Sequence, residues 1–285
     1  MPPTNPPRET HRSGPQVGGR LTGKLLELFG LQLQGVQLNS LDETSIEQLR
    51  GLLAHHGVVV ARQQEANDAD FASFLVRLGP AMFTVGETPV DGYPTLNVVT
   101  NVGRTTRPRS VYHTDTSYVS RPPAFTALRA VDVPDRGGET LFVNQYEALA
   151  RLPNKLLKSL KDARVLHRAS GLPDGVESRN SWHPLVRFIR ESGREALFLS
   201  TPKRCIALSG MPSRLSRSLL RLLYKHSTED GQVYRHQWKP GDIVIWDNRC
   251  TLHRADHSEV EGHRTLHRGM VRGESPRVSP ITTIR

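Results

Sequence analysis

The chain has 285 residues and a formal net charge of +10, with 38 Lys plus Arg against 28 Asp plus Glu. That length can bury a sizeable core in one large domain or two small ones, and no apolar run approaches the roughly 20 residues of a membrane helix. Two cysteines exclude a disulfide framework, while scattered arginines and only 6% aromatic residues argue against a nucleic-acid surface.

The composition therefore predicts a soluble cytoplasmic enzyme whose surplus positive charge suits an acidic small molecule. Residues 1–19, which open Met1-Pro2-Pro3-Thr4-Asn5-Pro6-Pro7, read as a disordered, basic, Pro-rich leader and not as a signal peptide. Residues 20–285 read as one domain.

Thr44-x-x-Glu47 has the form of a capping box, and Ile46, Leu49, Leu52 and Leu53 follow at helical spacing. Val58-Val59-Val60 reads as a buried strand. Asn67 is placed to cap a second helix carrying Phe71, Phe74, Leu75 and Leu78, stopped by Gly79-Pro80. Short strands are predicted at 96–99, 124–131 and 140–143, the last preceded by a turn at Gly137-Gly138. A helical interval is expected at 151–161, and a hairpin at 186–189 and 196–199 turned at Ser192-Gly193. Pro212 starts a helix expected to bury Leu215, Leu219, Leu222 and Leu223. Strands return at 243–246 and 264–271. Short strands with helices outside them predict a mainly β jelly roll, a double-stranded β-helix core with flanking helices.

Two features carry chemistry. His113 and Asp115 are two apart, so an extended segment points both to one side. His253 follows His113 by 140 residues, so only the fold can join the three. Two imidazoles and one carboxylate with an open face are the donor set of a non-heme Fe(II) centre. The last strand supplies the second feature. Arg264, Leu266, Arg268 and Met270 share one face, and if that face lines a barrel its two guanidiniums require anionic partners. At ~3.3 Å per residue the two arginines stand ~13 Å apart and could hold two different anions.

On these residues the chain resembles the taurine dioxygenase family of Fe(II)/2-oxoglutarate-dependent oxygenases. The resemblance extends through His113-Thr114-Asp115, Pro122-Pro123, Gly137-Gly138-Glu139-Thr140, His183-Pro184-Leu185-Val186-Arg187 and the run Gly241 to Arg249, and ends on His253, Arg264 and Arg268. It implies that His113, Asp115 and His253 ligate iron and that Thr140 and Arg264 hold 2-oxoglutarate. It implies that Arg268 meets the acidic group of the prime substrate. Fe(II), 2-oxoglutarate and O2 would be the cofactor and cosubstrates, with a small anionic molecule hydroxylated and succinate and CO2 released. A carboxylate at Asp115 leaves no halide site, so hydroxylation is expected in place of halogenation.

Other readings are weighed against this one. Arg268 could be a structural ion-pair partner, Trp246-Asp247-Asn248 reads as scaffold, and His183 as structural. His253/His257 and His263/His267 have zinc-pair spacing on a helix, but Arg254 stands where His-Glu-x-x-His needs its Glu. Pro80-Ala81-Met82-Phe83-Thr84 lacks the histidine of taurine-specific members, and Tyr112 replaces their tryptophan, which argues against taurine itself. The segment 104–109 is basic, and Arg109 is a candidate second anion contact against a solvated charge. The stretch between Gly171 and His183 reads as a short lid over an open pocket. Alternatives are an amino-acid or natural-product tailoring oxygenase of the same family, a non-catalytic binding protein on the same fold, and a basic nucleic-acid binder. A homo-oligomer is left open.

Overall fold

The computed structural model describes residues 20–84, 86–103, 110–169, 179–229 and 233–280. The expected leader, Arg109 with its basic segment, and most of the expected lid lie outside them. In chain order the first half forms β1 (Gly23–Leu25), β2 (Leu31–Leu33), α1 (Glu43–His56), β3 (Val58–Ala61), α2 (Asp68–Leu78), β4 (Ala81–Met82), β5 (Pro89–Val90), β6 (Tyr93–Thr100) and β7 (Pro123–Asp132). Next come β8 (Thr140–Asn144), α3 (Gln145–Ala150), α4 (Asn154–Leu160), β9 (Arg164–Arg168), β10 (Asn180–Pro184), β11 (Val186–Ile189), β12 (Arg194–Leu197) and β13 (Cys205–Leu208). The chain closes with α5 (Ser213–Ser227), β14 (Val233–His236), β15 (Ile243–Asp247), β16 (Thr251–Ala255) and β17 (Thr265–Arg272).

A large sheet runs β1-β2-β3-β15-β7-β17-β6-β5, with β4 pairing to the end of β17, and a smaller sheet runs β14-β8-β16. The inner faces meet over Val58, Val60, Leu128, Phe142, Val244, Trp246 and Leu266. The outer face of the large sheet is covered by α1 and α2, through Ile46, Leu49, Leu53, Phe71, Phe74 and Leu78 against Val59, Ile243 and Ile245. β15 is thus buried on both sides, which is why its sequence reads as an unbroken apolar run. This is the jelly roll expected from the strand pattern. Among the described residues no helix is long and apolar enough to cross a membrane.

Local chemistry explains most of the boundaries. Asn67 and Asp70 make the reciprocal cap of α2. The cap of α1 is Asp42, which accepts from Ser45 N at 2.7 Å, and not the Thr44-Glu47 box. An aspartate at that position is as good an acceptor, so the helix starts two residues earlier. Gly57, at φ 74°, turns the chain from α1 straight into β3. The single helical interval at 151–161 is instead α3 and α4. Asn144 caps α3 through Tyr146 N and Glu147 N, and Pro153 starts α4. On α5 the buried face is Ser216, Leu220, Leu223 and Ser227, while Leu215 and Leu222 are exposed. Apolar periodicity put the face one residue off because the serines, Ser216 bonding to Met211 O and Ser227 to Leu223 O, satisfy their hydroxyls locally and can be buried.

Candidate active site

The site lies between the two sheets. His253 is the middle residue of β16, opposite Phe142 of β8 on one side and bridged to His113 on the other. His113 and His253 exchange both backbone hydrogen bonds at 3.0 Å, so the segment carrying His113 extends the smaller sheet. Their rings stand 4.3 Å apart. Thr114 points the other way, donating to Leu199 O at 3.0 Å, while Arg204 donates to its carbonyl at 3.0 Å. That anchoring leaves His113 and Asp115 on the same side.

Asp115 Oδ1 is 3.5 Å from His113 Nε2 and 3.8 Å from His253 Nε2. One ligand atom from each of the three lies within 4.8 Å of the others, the only such group among the described residues. His113 Nδ1 donates to Val111 O at 3.0 Å, which leaves its Nε2 lone pair free for a metal. Burial, with His113 beside it, pushes His253 down to about 3, so its ring is neutral and able to ligate. Burial alone would raise Asp115, but His253, His113 and Arg268 together hold it well below the usual carboxylate range.

A directed chain of hydrogen bonds orients this carboxylate. Trp246 Nε1 donates to Asn248 Oδ1 at 3.1 Å, Asn248 Nδ2 to Thr126 Oγ1 at 2.8 Å, and Thr126 Oγ1 to Asp115 Oδ2 at 2.8 Å. Trp246 and Asn248 are therefore scaffold, as read from the sequence. Thr126 was missed, since a threonine inside an apolar strand carries no local signal. Asp247 belongs elsewhere, gripped by Arg249, which also binds Glu191 at 2.9 Å.

The inner face of β17 is the face predicted to carry two arginines. Arg264 is 2% exposed. Its Nε donates to Gly138 O at 2.7 Å and its Nη2 to Thr140 Oγ1 at 3.3 Å. Trp238 Nε1 also donates to Thr140 Oγ1, at 3.1 Å. Gly138 sits at φ 72°, and a Cβ there would come 2.8 Å from Arg264 Cδ. Only glycine lets the guanidinium lie against that turn. Arg264 has no carboxylate partner among the described residues, and burial pushes it down to about 10. A buried cation without a counter-ion calls for an anionic ligand.

Arg268 differs. Its Nη2 pairs with Glu87 Oε1 at 2.9 Å and its Nη1 lies 3.8 Å from Asp115 Oδ1. Burial opposes its charge, but Asp115 and Glu87 outweigh burial and raise it. The zinc-spaced histidines do not cluster. His267 faces away from the site and bonds Asp68 at 2.6 Å, and His263 is exposed.

Comparison with known proteins agrees with this arrangement. Residues 20–270 match the family described as "Taurine catabolism dioxygenase TauD, TfdA family". The chain belongs to that family. This TauD/TfdA-family chain is 35% identical over 182 residues to the "Alpha-ketoglutarate-dependent 2,4-dichlorophenoxyacetate dioxygenase" of Burkholderia sp. (strain RASC), a match covering 60% of each protein. It is 30% identical over 271 residues to the enzyme of the same name from Cupriavidus pinatubonensis, covering 85% of this chain and 93% of that one. Among solved structures, a putative alpha-ketoglutarate-dependent taurine dioxygenase from Burkholderia xenovorans superposes with a TM-score of 0.80 at 29% identity, covering 90% of this TauD/TfdA-family chain and 94% of the other.

Proposed function

We propose that this protein is an Fe(II)- and 2-oxoglutarate-dependent dioxygenase that hydroxylates a small acidic substrate and releases succinate and CO2. The observation that carries the reading is the pairing of a His-Asp-His donor set with a buried, anion-free guanidinium at Arg264. His113, Asp115 and His253 would hold Fe(II). Arg264 and Thr140 would take the distal carboxylate of 2-oxoglutarate, the guanidinium as a planar donor and the hydroxyl through the hydrogen it does not give to protein. The bound metal and cosubstrate supply the oxidation of a C–H bond by O2. The chain's own residues do the rest. Thr126 fixes the orientation of Asp115, Val111 fixes the tautomer of His113, and the sheet-to-sheet apolar packing keeps bulk water away from one side of the site. The related enzymes' names, a chlorophenoxyacetate and taurine, are a carboxylate and a sulfonate, which supports an acidic substrate class.

The test is an anaerobic visible spectrum of the protein with Fe(II), before and after 2-oxoglutarate. A weak charge-transfer band that is absent in His113→Ala is expected. Intact, iron-loaded protein with no band would return the chain to the reading of a binding protein on an oxygenase fold. Arg109 stays a candidate contact for the substrate acid. Its test is Arg109→Ala, which should raise KM for the substrate and leave the band unchanged. Amino-acid oxidation within the same family is a second reading, favoured by the carboxylate of Glu87 beside Arg268.

A further inference from the structure

Next to the candidate metal ligands the inner face holds polar atoms without partners among the described residues. Asn97 of β6 stands directly opposite Arg268 of β17, so the two side chains leave the sheet on the same side. Asn97 is fully buried, and neither its Nδ2 nor its Oδ1 has a partner among the described residues. Arg268 Nε is buried and has no partner among the described residues either. Such groups cost stability unless something binds them. Asn97 also pairs with Pro89 across β5, and Glu87, two residues before that proline, is the residue that grips Arg268. Glu87 is otherwise loosely held, with its side chain 38% exposed.

The corner therefore offers two unused donors, Arg268 Nε–H and the Asn97 amide N–H, and two acceptors, Asn97 Oδ1 and the Glu87 carboxylate. We infer that Asn97, Arg268 and Glu87 form a subsite selecting a zwitterion, an amino acid in the broad sense with one carboxylate or sulfonate and one ammonium. The acid takes Arg268 and the Asn97 amide N–H. The ammonium takes Glu87 and Asn97 Oδ1. A simple monoanion fits poorly, because it would crowd a third negative group around the guanidinium that Glu87 and Asp115 already share. An ammonium turns Glu87 from a competitor into a partner. This inference deepens the proposed function and rests on it.

The experiment compares matched probes that differ only in the amino group: L-norvaline against pentanoate, and 3-aminopropanesulfonate against propanesulfonate. The two acids separate carboxylate from sulfonate preference. Binding is read by calorimetry on the metal-free protein, and turnover as stimulated 2-oxoglutarate consumption on the Fe(II) protein. Wild type should prefer one zwitterion over its des-amino partner. Glu87→Gln should reduce that preference about tenfold, the effect of one charge-assisted hydrogen bond. Asn97→Leu should weaken binding of the preferred probe about tenfold yet raise the thermal midpoint, because an orphaned buried amide is replaced by an apolar side chain of similar size. A merely structural asparagine would lose stability with binding. Equal or better binding of the des-amino acids, an unchanged ratio in Glu87→Gln, or no binding by either zwitterion would each overturn the subsite. The Fe(II)/2-oxoglutarate band separates the two failures. If it forms, only the subsite falls. If wild type lacks it, the proposed function falls and takes the subsite with it.

Discussion

Arg264 and Arg268 leave one strand on one face, four residues apart, and meet opposite surroundings. Arg264 has a carbonyl, a threonine and an indole around it but no carboxylate among the described residues, and burial weakens its charge. Arg268 lies between two carboxylates that strengthen its charge. The first is a receptor held ready by neutral groups, and the second is already part of an ionic network. The contrast teaches that a shared side-chain type and a shared face do not define a shared role. What decides it is whether the protein provides the counter-ion itself.

The largest expected effect tests the receptor. Arg264→Ala should raise the concentration of 2-oxoglutarate needed for the visible band by about 100-fold or more, the loss expected when one partner of a buried charge pair is removed. The same variant without ligand should lose less stability than Arg268→Ala, because it strands only the Gly138 carbonyl and the Thr140 hydroxyl and no carboxylate. Arg268→Ala should do the reverse. It leaves Glu87 and Asp115 without their cation, so the ligand-free protein should lose about 3 kcal/mol in denaturant titration, with 2-oxoglutarate affinity unchanged. Equal destabilisation by the two substitutions would sink the contrast.

Thr126→Val sharpens it from the metal side, since it removes the hydroxyl that orients Asp115 and touches neither arginine. Fe(II) affinity should fall about tenfold to 100-fold, as for other partners of metal ligands, measured by competition with a chelator. The smallest effect should be common to all these proteins. His167 and His183, on β9 and β10, are buried and neutral, and burial pushes His183 down to about 4 and His167 well below the ordinary imidazole value. The unfolded chain binds protons on both near pH 6.5. Stability is therefore full above that pH and falls as acid approaches pH 4, by about 1 kcal/mol over the first pH unit for His183 alone. Thermal midpoints across that range should decline in parallel in wild type and both arginine variants, and His183→Asn should flatten the slope.

Much of this arrangement was legible in the sequence where chemistry is local or periodic. The alternation through Arg264, Leu266, Arg268 and Met270 marked an inner face, and Asn67 marked a helix start. The same periodicity failed on α5, where buried serines broke the rule that core positions are apolar. The strands β9, β10 and β14 carry charged or polar residues at most positions and gave no strand signal, and the four apolar residues of β13 are too short a run to read as a strand by periodicity. Their order is set by partners far away, as His167 opposite both Ser181 and Cys205 illustrates. Thr126, Asn97 and Glu87 were invisible for a different reason. Each matters through a neighbour 11 to 181 residues distant, Asp115 for Thr126 and Arg268 for Glu87.

The reciprocal backbone bonds between His113 and His253 have a consequence for how metal and chain depend on each other. Two of the three candidate ligands are riveted together by main chain, from positions 140 residues apart in the sequence. Their spacing is thus set by the sheet before any ion arrives, unlike small domains in which the ion itself organises the fold. Stripping the metal should leave the seam closed, and reloading should proceed at the speed of ligand exchange, without a refolding step.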